Sequence, residues 1–196
     1  MKEMPVILMN VILVDNFVLA KFLGICPFLG VSKKLDSAVG MSVAVIFVML
    51  ISTAVTYPIY MYLLVPHGLS YLQTIAFILV IAALVQLVEI ILKEYVPVLH
   101  RSLGVYLPLI TTNCSVLGVT LLNIDEGYTY SQSLVNAFGA GLGFMLALVL
   151  FSGVRQRIER NDIPAAFKGI PSTLIAASVV SVSFMGFSGV VDGIFK

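Results

Sequence analysis

The sequence predicts an all-α integral membrane protein with six transmembrane helices, and three observations support this. Hydrophobic residues make up 60% of the chain and charged residues only 11%, against roughly 25% charge in soluble domains. Six apolar stretches reach the length of about 20 residues that a helix needs to cross a bilayer. Backbone groups in hydrocarbon must be hydrogen-bonded within the chain, so these stretches are expected to be helices. They cover residues 5–25, 39–64, 70–92, 103–123, 131–154 and 170–191.

Basic residues in the predicted loops indicate how the chain is oriented. Eight lysines and arginines fall in the loops after spans 1, 3 and 5, whereas the opposite side holds only Lys2 and Lys196. Cytoplasmic loops are enriched in basic residues, so both termini are predicted to lie outside. The whole chain, residues 1–196, is predicted to be one transmembrane domain surrounded by lipid. Its net charge of +1 argues against a nucleic-acid partner.

An internal repeat contains the only two cysteines of the chain. Residues 26–32 read Cys-Pro-Phe-Leu-Gly-Val-Ser, and residues 114–120 read Cys-Ser-Val-Leu-Gly-Val-Thr. Three spans separate the two phrases, so they enter the membrane from opposite faces. This pattern predicts two inverted three-helix repeats, residues 1–98 and 99–196, related by an axis in the membrane plane.

Both cysteine phrases also predict breaks in the first and fourth helices. Gly24 and Pro27 flank Cys26, and polar residues 111–113 precede Cys114 within an apolar stretch. Proline suits the first turn of a helix, so each cysteine is expected where a second half-helix begins. Counting along span 1 places Cys26 near its inner end, whereas repeat symmetry requires it to lie as deep as Cys114.

The chemistry of the two cysteines has several possible interpretations. Buried cysteines are most often inert small hydrophobic residues, and a disulfide within a cytoplasmic membrane would be unusual. The partial positive charge of a helix N-terminus favours a thiolate, which is the form that binds metals. Zinc and iron–sulfur sites normally take four ligands, so a metal site here would need a second chain.

Other polar residues fall within the predicted spans and are candidate ion or proton contacts. They are Asp15, Glu89 and Asn113. A charge inside a membrane is costly and is by default a functional candidate. The alternatives are structural: Asp15 could pair with Lys21, and Glu89 could pair with Lys93 one turn away. The glycine-rich residues 139–143 begin no strand–helix unit and instead indicate close helix packing.

Three phrases resemble the A-subunit family of the Rnf electron-transport complex, a relative of the Nqr E-subunit family. Residues 15–34 are similar to its first signature, residues 107–114 to its second, and residues 184–189 to a phrase near its C-terminus. The usual asparagine of the first signature is Asp15 here.

The resemblance implies a function that the composition of the chain alone does not indicate. The chain would be a membrane component of an ion-translocating ferredoxin:NAD oxidoreductase in a bacterial or archaeal cytoplasmic (inner) membrane. Cys26 and Cys114 would bind iron of one [2Fe–2S] cluster shared with a homologous E subunit, and subunits B, C, D and G would complete the complex. Electrons would cross the membrane through this cluster, coupled to Na⁺ or H⁺, with no complete active site on this chain alone.

Two other functions remain open from the residues themselves. A secondary transporter of the inverted-repeat type would bind its substrate at the repeat axis and use the cysteines only structurally. A scaffold that only holds redox partners together would have no redox centre of its own. Metal content separates the first of these from the redox function.

Overall fold

The chain is all-helical wherever the structure describes it. The computed structural model describes residues 3–32, 35–95, 110, 113–161, 164 and 167–195. All regular secondary structure in these ranges is helical, which confirms the predicted fold class. The helices are α1 (Glu3–Leu13), α2 (Ile25–Val31), α3 (Leu35–Ile59), α4 (Gln73–Tyr95), α5 (Cys114–Asp125), α6 (Tyr130–Glu159) and α7 (Ile170–Phe195).

The helix lengths are consistent with six membrane crossings. Within the described residues, three apolar helical segments are long enough to span a bilayer, and one of them combines α3 with the π-helical turn Tyr60–Leu64. The first predicted span is broken, because α1 ends at Leu13 and residues 14–24 are not helical before α2 begins. The first part of the fourth span, residues 103–109, lies outside the described residues. The spanning segments are Leu35–Leu64, Ser70–Ile91 and Tyr130–Ile158.

Helix α6 is the central element, and its contacts give the direction of the first span. A Cβ on Gly139 would lie 3.1 Å from Leu8, and one on Gly143 would lie 3.4 Å from Ile12. Further along, the Phe28 ring of α2 stacks on Phe151 with centroids 4.1 Å apart. In these contacts, higher residue numbers in the first span meet higher residue numbers in α6. Helices α1 and α2 therefore both run parallel to α6.

Helices α3 and α5 run the other way. The ring of Tyr57, near the end of α3, meets that of Tyr130 at the start of α6, with centroids 5.6 Å apart. Asn123, near the end of α5, accepts a 2.6 Å hydrogen bond from Asn136 in the second turn of α6. The half-helices α2 and α5 therefore point in opposite directions, as an inverted arrangement requires. The repeat boundary itself, between residues 98 and 99, lies outside the described residues and stays a prediction.

The glycine-rich residues of α6 allow three helix segments to approach one another, which confirms the predicted close packing. Gly139 and Gly143 face α1, while Gly141 faces α3, where an added Cβ would lie 2.7 Å from the Ile46 side chain. Large apolar residues fill the adjoining core between α3 and α6, and they are fully buried: Met41, Val45, Met49, Phe144, Leu148 and Phe151.

Glycine at position 141 is predicted to be required for stability. A Gly141→Ala substitution places a methyl group 3.2 Å from the Ile46 Cα, so backbone must move. We expect an overpacking cost of about 1–3 kcal/mol, measured as a lower melting temperature of the purified protein in detergent. Gly153→Ala on the same helix is the control, because nothing lies within 4 Å of the added Cβ. Equal melting temperatures for the two variants would contradict this account of the packing.

Candidate metal centre

The break in the first span is organised by one buried side chain, Asn16. Its amide oxygen accepts hydrogen bonds from the N–H groups of Val18 (3.0 Å) and Leu19 (3.3 Å). Its amide nitrogen donates to the carbonyl oxygens of Ile12 (3.1 Å) and Gly143 (2.8 Å). Non-helical backbone at membrane depth is tolerated only where its polar groups are satisfied inside the protein. Asn16 does this for the end of α1 and for two N–H groups inside the break, and it ties the segment to α6.

Helix α2 begins from a glycine that no other residue could replace without strain. Gly24 has φ +86°, in the left-handed region that favours glycine. A Cβ there would also collide with the Ser115 hydroxyl and lie 3.0 Å from the Phe144 ring. The Gly24 N–H donates a hydrogen bond of 2.9 Å to the Cys114 Sγ. The residue that begins α2 is therefore in direct contact with the second cysteine, although 90 residues separate these two positions.

Helix α5 begins at Cys114, as predicted. Asn113 is its N-cap, and its side-chain oxygen accepts a hydrogen bond of 3.0 Å from the Ser115 N–H. Asn113 is 4% exposed, and its Nδ2 has no hydrogen-bond partner among the described residues. The Ser115 hydroxyl is likewise buried without a described partner. The residues before and after Cys114 thus each carry an unused buried polar group.

The structure answers the question of how deep Cys26 lies. The N-cap of α2, Gly24, packs against Phe144, which lies at the midpoint of α6. Cys26 follows in the first turn of α2, and Cys114 is bonded to Gly24. Both cysteines therefore lie near the middle of α6, because residues 14–24 delay the start of the second half-helix. This position along α6 agrees with the repeat symmetry and differs from the one obtained by counting along a continuous span.

The two thiols differ in their surroundings. Both are free, but Cys26 is exposed on the protein surface whereas Cys114 is half-buried. No group of three or more histidine, cysteine, aspartate or glutamate residues is assembled within the described part of the chain. A metal centre that used both thiols would have to complete its ligands from outside the described part of this chain, and the side chain of Cys26 is exposed.

The other predicted candidates lie apart from the cysteines. Asp15 lies in the break and forms a 3.9 Å ion pair with Lys21, so the predicted structural pairing is present. Glu89 lies in α4 and is half-buried. No hydrogen bond or ion pair joins its carboxylate to any described residue, so the Glu89–Lys93 pair is not formed. Of the predicted polar candidates, only Asn113 contributes to the environment of a thiol.

Arg155 directly follows the predicted fifth span, residues 131–154, and on that basis is expected in a loop. It lies in α6, is 9% exposed, and donates hydrogen bonds to the Leu29 carbonyl oxygen (2.6 Å) and the Ser32 hydroxyl (2.8 Å). Its positive charge therefore lies at the C-terminus of α2, where a cation is favourable. A helical pattern could have revealed it, because buried Phe144, Leu148, Phe151 and Arg155 recur every three or four residues.

Comparison with known proteins agrees with this architecture. The family model described as "Rnf-Nqr subunit, membrane protein" matches residues 4–191. The chain belongs to the Rnf-Nqr family. It is therefore a multi-pass membrane protein, as its apolar helices indicate.

Similar members of the Rnf-Nqr family are named as components of one type of complex. The A subunit of an ion-translocating oxidoreductase complex from Syntrophotalea carbinolica is 56% identical over 98% of this chain and 100% of its own length. The A subunit of a Na⁺-translocating ferredoxin:NAD⁺ oxidoreductase complex from Acetobacterium woodii is 56% identical, covering 93% of this chain and 95% of its own. The A subunit of an ion-translocating oxidoreductase complex from Shewanella sp. is 52% identical over 97% of this chain and 100% of its own.

Arg155 is predicted to hold α2 in place through its guanidinium. An Arg155→Met substitution keeps the aliphatic bulk but leaves the Leu29 carbonyl oxygen without its charged donor. Losing a charge-assisted hydrogen bond in a buried site costs about 1.5–3 kcal/mol, so we expect a lower melting temperature in detergent. Arg157→Met is the matched control, because Arg157 is exposed on the same helix. A melting temperature that falls equally in both variants would show that Arg155 has no special role.

Proposed function

We propose that this chain carries electrons across the membrane within an ion-translocating ferredoxin:NAD oxidoreductase complex. The electron carrier would be a [2Fe–2S] cluster bound by Cys26 and Cys114 together with two thiols of a homologous protein. The observation that supports this most strongly is the meeting of the two cysteine-bearing half-helices at the middle of α6, joined by the Gly24 N–H and the Cys114 Sγ.

The residues around the thiols fit an iron–sulfur group. Cluster sulfurs and cysteine ligands accept hydrogen bonds, and such bonds help to set the reduction potential. The Gly24 N–H already donates to the Cys114 Sγ, and the Asn113 Nδ2 beside it is an unused donor. When bound, the cluster supplies one-electron redox chemistry that no side chain here can provide.

The protein's own contribution is to orient the two ligands and exclude water. Both thiols lie in the first turn of a helix, where the first N–H groups have no acceptor within the helix. Asn113 fixes the start of α5, and Gly24 fixes the start of α2 against it. Phe28, two residues after Cys26 in α2, stacks on Phe151, so apolar surface covers this part of α2.

The remaining ligands would come from the E subunit, which the resemblance identifies as the homologous partner. An inverted fold suits such a pairing, because a homologue of opposite orientation could present its own two half-helices to the open side of Cys26. Subunits B, C, D and G would complete the complex, and the ferredoxin and NAD sites would lie outside this chain. The chain would lie in a bacterial or archaeal inner membrane with both termini outside, and the relative from Acetobacterium woodii, named as Na⁺-translocating, favours Na⁺ as the coupled ion.

The cluster assignment is tested by low-temperature EPR of the dithionite-reduced, purified complex. We expect Cys26→Ser and Cys114→Ser each to remove or shift one [2Fe–2S] signal and to abolish electron transfer from ferredoxin to NAD, because serine replaces a thiolate ligand. Difference spectra against the unchanged complex separate this signal from those of the soluble subunits.

The matched control for the EPR experiment is Ser183→Ala on α7. The Ser183 hydroxyl is exposed and donates only to the Val179 carbonyl oxygen of its own helix, so the spectrum should not change. Blue native electrophoresis establishes that each variant still assembles. An assembled Cys114→Ser complex with an unchanged spectrum and full electron transfer would refute the proposal.

The orientation is tested by reporter fusions. Alkaline phosphatase folds only outside the cytoplasm, so a fusion after Lys196 should be active and one after Arg160, at the end of α6, should be inactive. Green fluorescent protein at the same two positions should give the opposite result. The reverse pattern would show that the basic residues do not set the orientation of this chain.

A further inference from the structure

The non-helical break of the first span lies at the middle of the membrane. The Asn16 amide donates to the Gly143 carbonyl oxygen, and Gly24, the N-cap of α2, packs against Phe144. Both contacts are at the midpoint of the long apolar helix α6. The residues between them, 17–23, therefore lie at the depth of the hydrocarbon core of the bilayer.

Three consecutive residues of the break, Ala20, Lys21 and Phe22, are exposed on the surface of the chain. No backbone N–H among the described residues donates a hydrogen bond to their carbonyl oxygens. Irregular backbone is tolerated at membrane depth only where it is buried in protein or lines a water-filled cavity. Lipid tails cannot satisfy these oxygens, so this surface needs another neighbour.

The side chain of Lys21 adds a positive charge to the same surface. Its ammonium lies 3.9 Å from the Asp15 carboxylate, and the two side chains remain 35% and 46% exposed. Charged groups at the bilayer centre are costly to place against lipid, and they face protein or a water-filled cavity instead. The charge therefore excludes lipid as the neighbour of this surface, as the carbonyl oxygens do.

Phe22 presents its ring on this surface from an unfavourable backbone conformation. Its φ of +55° is the only positive φ of a non-glycine residue in the described ranges, and bulky residues rarely adopt it. The next two residues are fixed, because the Leu23 N–H donates to the Phe17 carbonyl oxygen (2.8 Å) and the Gly24 N–H to the Cys114 Sγ (2.9 Å). The ring is 58% exposed. Backbone strain of this kind is concentrated at functional contacts, and exposed aromatic rings are frequent anchors of protein interfaces.

We propose that residues 20–22 form a contact with the homologous chain that supplies the other two cluster thiols, here called the partner chain, and that Phe22 is the anchor of this contact. A water-filled cavity would suit Lys21 but not the exposed ring, whereas a protein surface suits both. Cys26, four residues after Phe22, is also exposed, so the contact continues along the chain to the thiol that the partner chain covers.

The chemistry of residues 20–22 defines what the partner chain presents to them. It offers an apolar pocket to the Phe22 ring, hydrogen-bond donors to the three carbonyl oxygens and an acidic or polar group to Lys21. The inference rests on the proposed function, in which the E subunit is this partner chain. It adds a contact surface on the broken span that is separate from the metal ligands.

The contact is tested by photocross-linking of the complete complex in native membranes. Phe22 is replaced by the photoreactive residue p-benzoylphenylalanine, and we expect ultraviolet light to join position 22 to the partner chain, identified by mass spectrometry. The same replacement of Phe47 is the matched control, because Phe47 is 54% exposed and follows Ile46, which packs on Gly141 near the midpoint of α6. Phe47 lies within the continuous helix α3, so lipid is a sufficient neighbour and no product with the partner chain is expected.

A Phe22→Gly variant separates an interface role from a structural one. It removes the ring and relieves the positive φ, so a ring that only faced lipid would be dispensable. We expect about tenfold less partner chain to co-purify through a detergent wash, because an aromatic anchor is lost. Phe47→Ala, which removes a ring of similar exposure, should leave the amount of co-purified partner chain unchanged.

The possible outcomes are distinct. A cross-link from position 22 to the partner chain, with none from position 47, supports the contact. Cross-linking of position 22 to lipid alone or to a different subunit overturns it, as does unchanged co-purification in Phe22→Gly. The EPR signal is read on the same samples. A signal that depends on Cys26 without any cross-link refutes this inference alone, whereas a signal unaffected by Cys26→Ser refutes the proposed function.

Discussion

The constraint on which this structure depends is the satisfaction of backbone groups where a helix stops inside the membrane. Each helix end leaves up to four unpaired N–H or C=O groups, and hydrocarbon offers them no partner. Asn16 supplies partners to the end of α1 and to N–H groups inside the first break, Asn113 caps the start of α5, and Arg155 covers the end of α2. These three polar side chains make it possible for two half-helices to begin near the same depth.

The contact between those half-helices is small and sterically demanding. One N–H of Gly24 reaches the Cys114 sulfur, and no side chain fits at position 24 because Ser115 and Phe144 close the space. Gly141 and Gly143 allow α3 and the break to lie directly against α6. The close approach of backbone segments, rather than contact between large side chains, therefore determines the geometry of the centre. The bulky core residues pack beside these segments.

Much of this architecture could be predicted because the bilayer limits what an apolar sequence can do. Length and hydropathy predicted the spans, and polar residues within an apolar stretch predicted where α5 begins. The end of α1 at Leu13 was not predictable, since Phe17, Val18 and Leu19 are buried and apolar although they are not helical. Hydropathy does not distinguish a buried apolar segment with irregular backbone from a buried apolar helix. Arg155 was misassigned because a charge near the end of a span is usually in a loop.

The exposure of Cys26 has a consequence for biogenesis. A newly inserted chain has an uncovered sulfur on its surface, on a half-helix that begins near the midpoint of α6. In the proposed complex a second chain covers this sulfur. A chain synthesised in excess of that companion would keep an oxidisable group and an uncovered apolar surface. Matched synthesis of the two chains, or rapid removal of the unpaired one, then becomes a requirement of the cell.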